Sequence, residues 1–112
     1  MNISIEENSS ELMVISLTGR MDAGNAGEFN EAFDAVLEKR PATLILNLSG
    51  LQYISSAGLR SVLTLIKTAK TANTALKFCA MQPMVADVFR VSGFSSMLSI
   101  FDTLDTALAG EG

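Results

Sequence analysis

One stretch of the chain constrains the fold more than any other. Residues Thr43 to Leu48 read TLILNL, a nearly continuous apolar run. Such a run is typical of a central strand that is covered on both faces of a sheet. Apolar residues recur at helical spacing before it, from Phe29 to Leu37, and after it, over roughly 56 to 73. Strands joined through a helix run parallel, with right-handed crossovers, so this stretch predicts an α/β protein.

The remaining strands and helices follow from the same patterns. Residues 2–7 and 11–18 predict two strands, and the turn cluster Asn8 to Ser10 between them is short enough to require an antiparallel pair. Gly19 is expected to end the second strand, with Gly24 and Gly27 in the loop that follows. The later elements are predicted as a strand over Ala75–Ala80, a helix from Pro83 to near Gly93, a strand over Leu98–Phe101 and a helix through Leu108 that Asp102 caps.

The resulting order, β-β-α-β-α-β-α-β-α, predicts a mixed and mostly parallel sheet with helices. The chain has 112 residues, which leaves room for one core only. A single domain over residues 1–112 is therefore expected, with Gly110 to Gly112 fraying at its end.

Composition excludes several functions. Twelve acidic against eight basic residues give a net charge of -4, which disfavours nucleic acid and anionic lipid as partners. The chain has no histidine, and Cys79 is its one cysteine, which excludes a Ser-His-Asp triad, histidine metal ligation and an intrachain disulfide. No signal peptide or membrane-spanning run is found, so we expect a cytoplasmic protein without metal or cofactor.

Two segments carry the candidate chemistry. Gly19 to Asn25 reads GRMDAGN and Ser49 to Gly58 reads SGLQYISSAG, and each follows a predicted strand of the same sheet. The carboxyl ends of parallel strands share one edge, where α/β folds place their sites, so Asp22 and Ser56 are expected at the same edge of the protein. Ser55 and Ser56 stand before a helix, where each is expected to accept a hydrogen bond from a free backbone N–H.

These residues resemble a known family. The run LILNLSGLQYISSAGLRSVL is similar to the signature of the STAS domain of bacterial anti-sigma factor antagonists, in which a hydrophobic strand and Asp-Ser-Ser/Thr-Gly-Leu open a helix. GRMDAGNA resembles the family's other recurrent loop, and the element order agrees along the whole chain. Three positions depart from the usual pattern: Asn47 and Ser55 replace aspartates, and Ala57 replaces Ser or Thr.

The resemblance implies a partner-switching role. Ser56 falls where antagonists carry the serine that an anti-sigma factor kinase phosphorylates, and a serine phosphatase would reset it. The unmodified chain would bind the kinase and free a sigma factor, without an active site of its own. The implied contact surface comprises Met21, Asp22, Asn25, Ser55, Ser56, Gly58, Leu59 and Arg60, with Met21 equally assignable to the core and Ser56 also capping its helix.

Other functions stay open or are disfavoured. The loss of an aspartate before Ser56 favours a second hypothesis, an unphosphorylated adaptor or scaffold subunit of a larger signalling or transport complex. A hydrolase with Ser56 as nucleophile is disfavoured, because no histidine is present and Lys67 and Lys70 lie two or more turns down the helix. The glycine spacing of nucleotide-binding loops is missing too.

Overall fold

A computed structural model describes residues 1–110 and contains one five-stranded sheet with four α-helices. The strands are β1 (Asn2–Glu7), β2 (Leu12–Met21), β3 (Thr43–Ile54), β4 (Ala75–Cys79) and β5 (Ser99–Phe101). The helices are α1 (Ala26–Glu38), α2 (Ser56–Thr71), α3 (Pro83–Val91) and α4 (Leu104–Ala109), with a 3-10 turn over Phe94–Met97. The prediction for the last two residues, Glu111 and Gly112, lies outside the described residues.

The sheet follows the order of the sequence, β1-β2-β3-β4-β5. β1 pairs with β2 antiparallel, whereas the pairs β2–β3, β3–β4 and β4–β5 are parallel. The predicted mixed α/β fold and its element order are therefore confirmed. Each parallel pair is joined through a helix, so the carboxyl ends of the parallel strands lie at one edge of the sheet.

β3 is the centre of the core, as the run TLILNL predicts. Leu44, Leu46 and Leu48 of this strand pack on the face that α1, α2 and α3 cover, together with Phe29, Phe33, Val62, Leu65, Val85 and Phe89. Ile45 points to the opposite face and joins a smaller cluster with Cys79 and with Ala107 of α4. Each of these residues is buried, which explains why the sequence of β3 shows no polar alternation.

Two strands continue past the ends that the sequence predicts. β2 runs through Gly19 to Met21, and β3 runs beyond Leu48 to Ile54, so most of the predicted loop Ser49–Gly58 is strand. Register shifts interrupt their pairing between Ser16 and Arg20, and Gly19 has a φ of 105°. These irregularities, together with the polar residues and glycines of both segments, conceal the strand pattern in the sequence.

The last helix is also capped differently from the prediction. Thr103, not Asp102, is its N-cap: the Thr103 Oγ1 accepts from the Thr106 backbone N–H at 3.1 Å, and the Thr103 N–H donates to the Thr106 hydroxyl at 3.2 Å. This reciprocal pair satisfies two N–H groups, which a lone aspartate one residue earlier would not. At the other end, the Lys77 ammonium donates to the carbonyls of Ala107 and Gly110, at 3.1 and 2.7 Å.

Two valines of α3 test which face of this helix supports the core. Val85 is fully buried, whereas Val91 is 82% exposed. We expect Val85→Ala to lower the free energy of unfolding by about 2 kcal/mol, because it removes buried methyl groups and leaves a cavity. Val91→Ala in the same helix should change it by less than about 0.5 kcal/mol. Urea unfolding followed by circular dichroism measures both, and equal losses would contradict the assignment of the buried face.

Candidate functional site

The carboxyl ends of β2 and β3 bring the two predicted segments together. Met21 pairs with Ile54 across the two strands, and the Ser55 N–H donates to the Met21 carbonyl at 2.9 Å. The loop after β2 and the first turn of α2 therefore lie at the same edge, as predicted for Asp22 and Ser56. We call this edge, made of residues 22–25 and 55–60, the rim.

A network of side-chain hydrogen bonds shapes the loop between β2 and α1. The Asn25 Oδ1 accepts from the Asp22 N–H at 2.9 Å, and its Nδ2 donates to the Arg20 carbonyl at 2.8 Å. The Asp22 Oδ1 accepts from the Gly24 N–H, also at 2.9 Å. Both side chains are half-buried and hold the loop in one conformation. Asp22 and Asn25 thus have a structural role at the rim besides any contact that they make with a partner.

The two serines at the start of α2 differ in their contacts. Ser55 is the N-cap, and its Oγ accepts from the Gly58 N–H at 3.1 Å. Ser56 is the first residue of the helix and is exposed, and its hydroxyl has no hydrogen-bond partner among residues 1–110. The expectation that Ser56 also caps the helix is therefore wrong, because one N-cap side chain already occupies that position. The cap and the accessible hydroxyl are separate groups.

Two residues of the predicted contact surface are buried. Met21 is fully buried, and Gly58 is buried directly above it. A Cβ added to Gly58 would lie 2.7 Å from the Ile54 Cγ1 and 3.1 Å from the Met21 Sδ. Glycine is required for this close approach of α2 to the sheet. Both residues therefore contribute to packing at this edge and not to its exposed surface.

The remaining predicted residues reach the surface at the rim. Ser56 and Arg60 are exposed, while Asp22, Asn25, Ser55 and Leu59 are half-buried. Leu59 also borders an apolar hollow that continues onto α3 and is lined by Asp87, Val88, Val91 and Ser92. The polar rim is therefore continuous with an apolar surface on α3.

The sequence analysis does not assign Val88 and Val91 of α3 to this surface. Met84, Val88 and Val91 follow one another at a spacing of four and three residues, a second apolar line beside the buried Val85 and Phe89. Met84 is 62% exposed and Val91 is 82% exposed. That second line is the signal that could have identified the hollow.

Arg20 and Tyr53 form a further missed feature beside the rim. The Arg20 guanidinium lies 4.2 Å from the centroid of the Tyr53 ring, a cation–π contact between partners in the strand register. This pair depends on the unpredicted continuation of β2 and β3, so sequence reasoning placed both residues in loops. The contact holds Arg20 against the sheet, whereas the other arginine near the rim, Arg60, is exposed.

Three further features of residues 1–110 bear on function: the cysteine, possible metal ligands and possible membrane-spanning helices. Burial raises the pKa of the Cys79 thiol, which keeps this side chain protonated at neutral pH and fits its place in the core. Over residues 1–110, no three His, Cys, Asp or Glu side chains gather as metal ligands. None of the helices in that range is long and apolar enough to span a membrane.

Comparison with known proteins identifies the family. The STAS domain model matches residues 2–107, and the chain belongs to the STAS domain family. It is 33% identical over 98 residues to BtrV of Bordetella bronchiseptica, a protein provisionally named as an anti-sigma factor antagonist, a match that covers 88% of this chain and 84% of BtrV. It is 26% identical to the anti-sigma F factor antagonist of Paenibacillus polymyxa, with 96% and 94% covered.

Solved structures share the fold at lower identity. An anti-sigma factor antagonist from Mycobacterium paratuberculosis superimposes with a TM-score of 0.87 at 22% identity, over 96% of this chain and 91% of that one. The antagonist SpoIIAA superimposes with TM-scores of 0.82 in its unphosphorylated form, at 21% identity, and 0.76 in its phosphorylated form, at 20%; each covers 96% of this chain, and 93% and 97% of SpoIIAA. A phosphorylated protein therefore exists with this fold.

The close approach at Gly58 gives the first prediction about the site. We expect Gly58→Ala to lower the free energy of unfolding by about 1 to 3 kcal/mol, because its methyl group meets buried side chains. Gly27→Ala is the matched control: a Cβ there has nothing within 4 Å, and alanine favours the helix by up to about 1 kcal/mol. Thermal unfolding compares the two, and stabilisation by both substitutions would contradict the packing described at the rim.

The second prediction separates the two serines. Ser55→Ala removes the N-cap hydrogen bond and should cost about 1 kcal/mol of stability. Ser56→Ala removes a hydroxyl without a described partner and should change stability by less than about 0.5 kcal/mol. Chemical denaturation of the two variants measures the difference, and a loss for Ser56→Ala as large as that for Ser55→Ala would show that Ser56 contributes to the cap after all.

Proposed function

We propose that this protein is an anti-sigma factor antagonist that phosphorylation of Ser56 switches off. The observation that carries the proposal is the exposed Ser56 hydroxyl at the first position of α2, while Ser55 caps the helix. It occurs in a chain whose relatives in Bordetella bronchiseptica and Paenibacillus polymyxa are named as anti-sigma factor antagonists. The unmodified protein would bind an anti-sigma factor serine kinase and displace its sigma factor.

The separation of cap and hydroxyl makes the modification compatible with the fold. A phosphate on Ser56 leaves the bond between the Ser55 Oγ and the Gly58 N–H unchanged. It adds a charge of about -1.5 to -2 near the positive end of the α2 dipole, which stabilises the modified helix. The main effect of phosphorylation is thus expected on binding and not on folding.

The surface around Ser56 fits a protein partner. Half-buried Leu59 connects the rim to the apolar hollow on α3, so a docked protein could cover both. An interface that fits a small hydroxyl has no room for a phosphate, and removing a dianion from water is costly even when a cation pairs with part of its charge. Changing occupancy from nearly complete to nearly absent requires a difference of about 5 kcal/mol between the two states. A desolvated phosphate supplies much of that difference.

In this role the chain acts by binding, with Ser56 as a substrate for another enzyme. A serine nucleophile needs a base within hydrogen-bond reach. Lys67 follows Ser56 by eleven residues, which places it about 16 Å further along α2. A serine phosphatase would remove the phosphate and return the protein to its binding form.

A second function is an unphosphorylated adaptor subunit. Ser55 stands where the STAS signature has an aspartate, and this loss of a carboxylate beside Ser56 changes what a kinase would recognise. A sulfate transporter family protein from Wolinella succinogenes also shares the fold, with a TM-score of 0.80. In this alternative the rim binds its partner constitutively.

Phosphorylation distinguishes the two functions. Incubation of the protein with its cognate anti-sigma factor kinase and ATP should add one phosphate, about 80 Da, to the intact mass. Ser56→Ala should abolish the mass increase, whereas Ser55→Ala should retain it. No mass increase in the wild-type protein would favour the adaptor.

Binding of the same kinase gives an independent test. Ser56→Asp should weaken the complex at least tenfold, because it places a charge where the interface fits a hydroxyl. Ser10→Asp is the control, since Ser10 is exposed in the loop between β1 and β2, at the opposite edge of the sheet. Calorimetry with the three proteins measures the affinities, and equal weakening by both substitutions would contradict a switch at Ser56.

A further inference from the structure

Arg60 lies on the same face of α2 as Ser56, one turn further along the helix. The two residues are four positions apart, and both are exposed. Side chains at this spacing have Cβ atoms about 5 to 6 Å apart. Because Cα–Cβ bonds in a helix tilt toward its N-terminus, the long Arg60 side chain can extend back toward Ser56.

The Arg60 guanidinium is not engaged in an ion pair within residues 1–110. The pairs formed there join Lys39 to Glu7 and Arg90 to Asp87. The first turn of α2 contains no acidic residue, and its N-cap is the neutral Ser55. The other arginine near the rim, Arg20, lies over the Tyr53 ring. Arg60 is therefore the cation near Ser56 that remains available for a new anion.

We propose that Arg60 binds the phosphate of phosphorylated Ser56 and is thereby withdrawn from the partner interface. This inference rests on the proposed function, since it assumes the modification of Ser56. A guanidinium can donate two parallel hydrogen bonds to a phosphate. The order is also the favourable one for a helix, with the anion four residues before the cation.

The pair gives phosphorylation a second effect on binding. In the unmodified protein, exposed Arg60 is free to contact an acidic or hydrogen-bond-accepting group of the kinase. In the modified protein the same guanidinium is occupied within its own helix. The partner then meets an additional phosphate and loses a cation at the same time, which increases the difference in affinity between the two states.

Asp22, on the loop between β2 and α1, is the one acidic residue of the rim. Its Oδ1 accepts from the Gly24 N–H at 2.9 Å, a bond within its own loop. Its charge opposes the formation of a dianionic phosphate, whereas Arg60 and the α2 dipole favour it. A comparison of variants that differ only at position 60 keeps the contributions of Asp22 and of the dipole constant.

Titration of the phosphate measures the pair directly. The full chain is made with phosphoserine introduced at position 56 during translation, so that no kinase is needed, and the phosphate is titrated by phosphorus NMR. Arg60 stabilises the dianion, so Arg60→Gln should raise the second pKa of the phosphate by about 0.3 units or more. Lys67→Gln, which removes an exposed cation of the same helix further from Ser56, should leave that pKa unchanged.

The outcomes separate the pair from the proposed function. Equal pKa values in the wild-type and Arg60→Gln proteins, or an equal increase in Lys67→Gln, would overturn the pair. A difference that decreases at 1 M salt would support it. Whether the phosphorylated wild-type protein still binds the kinase is measured separately: retained binding would overturn the switch and leave the pair standing.

Discussion

The site depends on one stretch of pairing, in which β2 and β3 continue side by side to Met21 and Ile54. The hydrogen bond from the Ser55 N–H to the Met21 carbonyl then fixes where α2 begins. Without this continuation, the loop after β2 and the first turn of α2 would have no common support. The buried Met21 and Gly58 complete it, since they set the distance between the helix and the sheet.

The two adjacent serines at the start of α2 have different roles. Ser55 gives its oxygen to the helix backbone, and Ser56 is left with a hydroxyl facing solvent. An aspartate in place of Ser55 would cap the helix equally well and add a negative charge next to Ser56. With serine at position 55, the first turn of α2 contains no carboxylate that could pair with Arg60. The electrostatic balance at the rim therefore differs from that of a chain with the usual STAS signature.

The sequence predicts the architecture well, because hydrophobic periodicity reports burial directly. The run from Thr43 to Leu48 is central for the reason that its composition indicates, since both faces are covered. The strand ends are different: the polar residues and the glycine between Ser49 and Tyr53 resemble a loop, and only the partner strand makes them extended. Local sequence does not contain that partner. The burial of Met21 is not evident from the sequence for the same reason, because the irregular register near Gly19 determines which face of the sheet Met21 occupies.

The close contact beneath Gly58 has a consequence for how a signal could leave this domain. The first turn of α2 packs closely against Ile54 and Met21, so it has little space to move toward the sheet when a group is attached to its exposed face. A group attached to Ser56 would thus change the charge and size of the surface without a change in the backbone conformation. Under the proposed function, a partner would therefore detect the phosphate by its charge and size, and the change in free energy would arise in the complex.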